Sequence, residues 1–373
     1  MPEAKDFLDR TDFCIRPWTD FTLSSTHTGT CCWSGTKYNL QLGKPFSSGP
    51  WTGDNELAEN AVRKQQEDML SQGVSSCPDL CPCKLSLPSV RVQCQQFSGN
   101  PHCTKAMEAI LADMRQGKFR VSKPLTFILT PTLRCNQQCL YCMANFEYFN
   151  VWTTDPTEEQ VARLLPMYDD CISFSTVGGD TFALDDDRIN MLYAPLLHRQ
   201  AQKAVTTNLR GLTLERYKKF FVNTATMNSV NVSLPTLNPE TYRQVNNGQD
   251  LDTILRNMRG IASSFPKHCM VNLCMVVLSM NVGEIPDMAR FAASVGIRNL
   301  YLLPLFTWPL AKRGATYLDP FGESFNEGLY QQFKQGIIQV DAVVKEKGIQ
   351  VRGMSAINSM FDARFARYRQ EGK

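Results

Sequence analysis

The chain has 373 residues, 43% of them apolar and 20% charged, enough to bury a core in two domains or in one large domain with an appendage. Intrinsic disorder and collagen-like repeats are thereby excluded. Lysine plus arginine against aspartate plus glutamate stands at 39 to 36, a balance that predicts neither a nucleic-acid nor a membrane-surface partner. No run reaches the roughly 18 apolar residues of a spanning helix, and the opening Met1-Pro2-Glu3-Ala4-Lys5-Asp6 does not have the pattern of a signal peptide, so a cytoplasmic location is expected.

Residues 1 to about 100 are dense in Gly, Pro, Ser and Thr and hold Cys14, Cys31, Cys32, Cys77, Cys81, Cys83 and Cys94. Such a segment builds little core of its own, so a bound metal centre is expected to hold it together. One polar helix is predicted there, roughly over residues 54–72, with Asp54 at its start. A connector over residues 101–122 follows, in which Met107, Ile110, Leu111 and Met114 share a helical face and Gly117 supplies the stop.

From residue 123 to 353 the texture alternates. Strands are predicted at 125–129, 172–177, 203–207, 229–234, 270–278 and 300–303, with helices between them at 158–168, 214–221, 251–261 and 282–295. Six strand–helix units in succession predict an α/β fold with a parallel sheet or barrel. A helix over 323–347, a strand over 349–352 and a tail over 354–373 complete the reading.

The chain has 14 cysteines but four histidines, His27, His102, His198 and His268, which are scattered. A long chain without a signal sequence is not a secreted disulfide scaffold, so the cysteines point to thiolate ligation of iron–sulfur or zinc. The sharpest group is Cys135-Asn-Gln-Gln-Cys139-Leu-Tyr141-Cys142, directly after the first strand of the alternating part. Three thiolates in one loop occupy three corners of a cubane and leave one iron open, whereas a zinc site needs a fourth ligand to close its tetrahedron.

This spacing, with an aromatic before the third cysteine, resembles the radical S-adenosylmethionine (radical SAM) superfamily. The resemblance runs from about residue 125 to 352 and implies a partial (β/α)6 barrel, a [4Fe–4S] cluster on Cys135, Cys139 and Cys142, and S-adenosylmethionine on the open iron. It implies that Tyr141 packs near the adenine. Gly178-Gly179-Asp180 matches a Gly-Gly-Glu motif that holds the methionine amine, with Asp in place of Glu. Ser233 matches a residue that bonds the ribose or carboxylate, and Thr206-Thr207-Asn208 matches a lining segment. The implied chemistry is reductive cleavage of the sulfonium to a 5′-deoxyadenosyl radical, which takes hydrogen from a C–H bond. A flavodoxin- or ferredoxin-type electron donor is implied with it.

Cys14-Ile-Arg-Pro-Trp18, Cys31-Cys32-Trp33 and Cys77-Pro-Asp-Leu-Cys81 resemble a SPASM auxiliary-cluster domain, here placed before the barrel and expected over residues 1–100. The resemblance implies a second [4Fe–4S] cluster on Cys14, Cys31 or Cys32, Cys77 and Cys81, with Cys83 competing for the place of Cys81. A structural zinc knuckle is the alternative.

In Cys269-Met-Val-Asn272-Leu-Cys274, alternation puts Asn272 and Cys274 on one face of a strand. Radical epimerases of the superfamily return a hydrogen from a thiol, and Cys274 is the candidate for that role, Cys171 the second. The expected function is epimerisation or oxidation of a sugar, a natural-product intermediate or a peptide. A peptide-maturing radical SAM/SPASM enzyme is one alternative, and a zinc-stabilised, non-catalytic binding protein is another. The absence of a recognisable leader-binding module tilts the expectation towards a small molecule.

Overall fold

The computed structural model describes residues 20–23, 28–29, 63–69, 71, 101–116, 118, 123–132, 134–142, 157–197, 201–222, 228–247, 251–262, 264, 269–305, 310 and 314–371. Contacts divide the chain into two units, one built from residues 1–134, 148–204 and 224–226, the other from 135–147, 205–223 and 227–373.

The first unit holds strands β1 (Asp20–Leu23), β2 (Thr28–Gly29), β3 (Thr126–Leu129) and β4 (Ser173–Thr176), hydrogen-bonded in the order β2-β1-β3-β4. β1 and β4 both run parallel to β3, and β2 is antiparallel to β1. Helices α1 (Pro101–Arg115), α2 (Glu158–Leu164) and α3 (Asp186–Leu197) belong to the same unit. One face of the strands buries Phe127 and Phe174, which meet the Tyr168 ring at centroid distances of 5.7 and 5.2 Å. Tyr193 of α3 closes this cluster edge-on against Phe174. The helix expected to run unbroken to Tyr168 becomes a 3₁₀ turn at Leu165–Tyr168, because Pro166 has no N–H to continue the ladder.

β5 (Gln202–Thr207) begins in the first unit and ends in the second. The second unit continues with α4 (Leu214–Tyr217), β6 (Asn228–Ser233), α5 (Pro239–Val245), α6 (Leu251–Ala262), β7 (Cys269–Val276), α7 (Ile285–Ser294), β8 (Asn299–Leu303), α8 (Glu327–Lys347), β9 (Gln350–Arg352) and α9 (Met354–Gln370). Strands β6, β7, β8 and β9 pair in that order, all parallel. Parallel neighbours joined through helices are the α/β architecture that the alternation predicted. Val230, Val232, Val271, Leu273, Met275, Leu300 and Leu302 make one wholly covered face, while the residues between them make the other.

Two elements differ from the sequence expectation. β1 comes from the cysteine-rich first hundred residues yet pairs along its whole length with β3, so that segment contributes a strand to the α/β part. Residues 354–373, expected as a tail, contain the 17-residue helix α9. Its Ile357, Phe361, Phe365 and Tyr368 follow a helical stripe, and Phe361 stacks on Phe333 of α8 with ring centroids 4.1 Å apart. Among the described residues no helix is long and apolar enough to cross a membrane.

Candidate functional site

The loop that follows β3 is tied down along its length in the second unit. Leu140 donates its N–H to the Val245 carbonyl at 2.8 Å, and the Cys142 N–H closes a turn on Cys139 at 3.1 Å. Gln137 donates to the hydroxyl of buried Tyr242, and Asn247 donates to Gln138 at 2.7 Å. Val245, Tyr242 and Asn247, the anchors outside the loop, lie on α5 or its C-terminal turn. α5 starts there because Asn238 caps it, accepting from the Glu240 and Thr241 N–H groups, with Pro239 pre-set for the first helical position.

The end of β5 meets the other side of the loop. Asn208 Nδ2 donates to Asn136 Oδ1 at 2.8 Å and to Cys135 Sγ at 3.5 Å, and the Arg210 guanidinium donates to the Asn136 carbonyl at 2.7 Å. Between them Leu209 is fully buried at φ 64°, a left-handed conformation that costs a non-glycine residue about 1–3 kcal/mol. The Thr207 hydroxyl accepts the Leu209 N–H, and Asn257 donates to its carbonyl. This strained residue turns the chain so that Asn208 and Arg210 both reach the loop.

Cys135, Cys139 and Cys142 are all free of disulfides. Burial, then the neighbouring Cys142 and Cys135, push the Cys139 thiol well up, and burial likewise raises Tyr141, whose hydroxyl lies against Cys139. Three thiols that repel one another as thiolates are a donor set for cationic metal. Among the described residues no three His, Cys, Asp or Glu converge as a cage for a single ion. Three thiols in one loop, each able to take a separate iron, fit a cluster better than mononuclear zinc. Tyr141 and Leu140 also pack against the apolar cluster of Val245, Leu278, Leu305, Leu310 and Leu318, and Val276 packs against the same cluster.

In the first unit, Gly178, Gly179 and Asp180 follow β4. Gly178 has φ 110°, and a Cβ there would stand 2.3 Å from Thr130 Cγ2, so glycine is demanded by both backbone and space. The N–H groups of Gly179 and Asp180 donate to the carbonyls of Thr132 and Arg134 at 3.1 and 2.9 Å. The Asp180 carboxylate, 1% exposed, caps a 3₁₀ turn by accepting from the Phe182 N–H at 2.9 Å. The turn thus braces the segment leading into Cys135, and Asp180 has a structural task that accounts for its burial.

Ser233 and Cys274 are direct partners in the parallel β6–β7 register, half-buried on the face opposite the covered one. Burial pushes the Cys274 thiol up to about 12. Asn272, two residues earlier on the same face, donates to Asn231 Oδ1 at 2.8 Å and Ser229 Oγ at 3.3 Å. Cys171, the second candidate hydrogen donor, is wholly buried and donates to the Ser173 carbonyl at 3.1 Å. It precedes β4, whereas the Gly178–Asp180 turn follows it, so it stands a strand length from that turn.

Within the second unit the structure therefore brings together Cys135, Cys139, Tyr141, Cys142 and Asn208, and pairs Ser233 with Cys274. Cys14, Cys31, Cys32, Cys77 and Cys81, together with Cys83, lie outside the described residues. No local pattern marks Arg210, Gln137 and Tyr242, whose roles depend on contacts between segments far apart in the chain.

Residues 129–292 match the family model described as the Radical SAM superfamily. The chain is 26% identical over 181 residues to a probable GTP 3′,8-cyclase of Methanococcus aeolicus, covering 48% of this chain and 58% of that relative. It is 30% identical over 178 residues to a GTP 3′,8-cyclase of Rhizobium etli, covering 44% and 47%. The chain thus spans about half the length of the curated relatives it matches. Among solved structures, Streptococcus suis SuiB bound to S-adenosylmethionine aligns with TM-score 0.49 at 14% identity, over 79% of this chain and 61% of that one. Native anSMEcpe with bound AdoMet aligns with TM-score 0.46 at 16% identity, over 61% and 64%.

Proposed function

We propose that this chain, which carries a radical SAM domain over residues 129–292, is an enzyme that takes a hydrogen atom from a C–H bond of a small molecule or peptide. When bound, the [4Fe–4S] cluster would supply the electron that splits S-adenosylmethionine into methionine and the hydrogen-abstracting 5′-deoxyadenosyl radical. The observation that carries the reading is the Cys135–Cys142 loop, fastened on one side by Asn208 and Arg210 and on the other by α5. Cys135, Cys139 and Cys142 would hold the cluster, and Tyr141 would line its surroundings. Within the second unit, Asn208 and Ser233 are the proposed contacts for the cofactor's polar groups; within the first, the Gly178-Gly179-Asp180 turn is proposed as a cofactor-binding motif on its sequence match.

The test is anaerobic reconstitution followed by a low-potential reductant, with methionine and 5′-deoxyadenosine read by mass spectrometry. The expected result is production of both, lost with the iron in Cys139→Ala. A chain loaded with iron that yields neither, or one that takes up zinc and no iron, overturns the proposal.

For the outcome, redox-neutral epimerisation is the first reading. The Cys274 S–H, kept protonated by burial, would return a hydrogen atom to the substrate radical. The resulting thiyl would need one electron and one proton, for which a flavodoxin- or ferredoxin-type donor is the proposed source. Solvent deuterium in the product carbon supports it, and a product lighter by two hydrogens supports oxidation instead. The naming of relatives as GTP 3′,8-cyclases favours a second reading, rearrangement of a nucleotide, which incubation with GTP tests directly. The cysteines of residues 1–100 are proposed to hold a second cluster in a SPASM-like segment.

A further inference from the structure

The parallel register of β6 to β9 aligns Ser233 with Cys274, Cys274 with Tyr301, and Tyr301 with Arg352. Residues in register across a sheet project to one face, so these four side chains form a row across four strands. The face is the one opposite the wholly covered face: Ser233, Cys274 and Tyr301 are half-buried and Arg352 is exposed. The Arg352 guanidinium lies 5.5 Å from the centroid of the Tyr301 ring, and its side chain donates to Gln350 Oε1 at 3.3 Å. No carboxylate among the described residues pairs with it.

Two features show that this cation is held in place. Gly353 has φ 83°, and a Cβ on it would stand 2.1 Å from the Leu302 carbonyl oxygen, so the end of β9 is pressed onto β8. The Tyr301 ring then gives the guanidinium a flat surface to lie on. One row below, Asn272 spends its Nδ2 on Asn231 and Ser229, while its Oδ1 is buried without a hydrogen-bond partner. Buried acceptors in that state call for a donor. One row above, Val276 and Leu303 are in register. Val276 packs on the apolar cluster that also receives Tyr141 of the cysteine loop. The Cys274 row thus lies about 7 Å, two residues of strand rise, below the row whose Val276 packs there.

We propose that this row is an anion site, in which Arg352 on the Tyr301 ring binds a carboxylate or phosphate group of the ligand. The anionic end would lie over Tyr301 and Arg352, leaving the remainder of the ligand to extend past Cys274 towards the cysteine loop. That this ligand is the substrate rests on the radical SAM reading above; the anion site itself does not.

The test is equilibrium dialysis of the full, anaerobically reconstituted chain against labelled inorganic pyrophosphate and, separately, succinate, with neither S-adenosylmethionine nor reductant present. The wild type is expected to bind at least one probe, and the probe bound distinguishes phosphate from carboxylate. Arg352→Gln is expected to weaken that binding about tenfold or more, with partial recovery in Arg352→Lys and a smaller loss in Tyr301→Leu. Equal binding by wild type and Arg352→Gln overturns the proposal, as does absence of binding of either probe to the wild type at about 10 mM. A chain that binds a probe through Arg352 yet releases no 5′-deoxyadenosine in the separate assay with S-adenosylmethionine and reductant retains this site and refutes the radical reading.

Discussion

At the scale of single residues, the loop and turn depend on backbone conformations that few side chains tolerate. Gly178 is left-handed and within van der Waals overlap of Thr130 if any Cβ is added. Gly178→Ala is therefore expected to cost at least about 1–3 kcal/mol, read as a lowered melting temperature of the iron-free protein. Unchanged melting would mean the turn relaxes freely. Cys274 gives a prediction with a sign. Its thiol is raised to about 12 by burial, so at pH 8 its thiolate fraction is on the order of 10⁻⁴, against roughly a quarter for an ordinary cysteine. Alkylation by iodoacetamide, followed on the Cys274 peptide, should be about 10³-fold slower than for a free thiol and should accelerate with pH up to about 12. Rapid labelling at pH 8 would remove the protected thiol that hydrogen-atom return requires.

At the scale of elements, the pairing of α8 with α9 rests on aromatic contact. Phe361 stacks on Phe333, and Tyr330 stacks on Phe365, each at 4.1 Å. At the rim Lys334 pairs with Asp362 at 2.9 Å. Phe361→Ala is expected to cost about 3–5 kcal/mol and to expose α9 to limited proteolysis before the rest of the second unit. The ion pair contributes far less, under about 1 kcal/mol for side chains this exposed. Its pH dependence has a definite direction: the Lys334 hydrogen bond holds the Asp362 carboxyl below the usual range. That contribution is present above the unfolded value near 4 and fades as pH falls through the lowered folded value.

At the scale of the whole chain, cysteine distribution sets the measurable quantity. Seven of the 14 cysteines lie in the first hundred residues, and none follows Cys274. With a second cluster in that segment, reconstituted protein should carry about eight irons, and a Cys77→Ala/Cys81→Ala variant about four. Four irons in both would leave the cysteine-loop cluster and remove the auxiliary one. The same segment also supplies β1, so cutting the chain at residue 100 would strip a paired strand from β3 and leave its ladder groups open to aggregation.

The sequence by itself determined the chemistry-bearing loop and the element alternation, because both are local. C-x3-C-x2-C is a spacing within eight residues, and the period of apolar residues marks β3 to β8 to within a residue or two at most ends. It also determined that Asn272 and Cys274 share a face, which needs nothing beyond the period of a strand. Tertiary structure alone decided what those faces meet. Strand register, which depends on partners far apart in the chain, aligned Cys274 with Ser233 and Tyr301, and Tyr301 with Arg352. Three-dimensional contact likewise set Asn208 and Arg210 on the cysteine loop, made Asp180 a cap, and turned Cys171 inward. It also gave the apolar stripe of α9 a partner in α8, the packing that turns a marginal local helix pattern into a buried one.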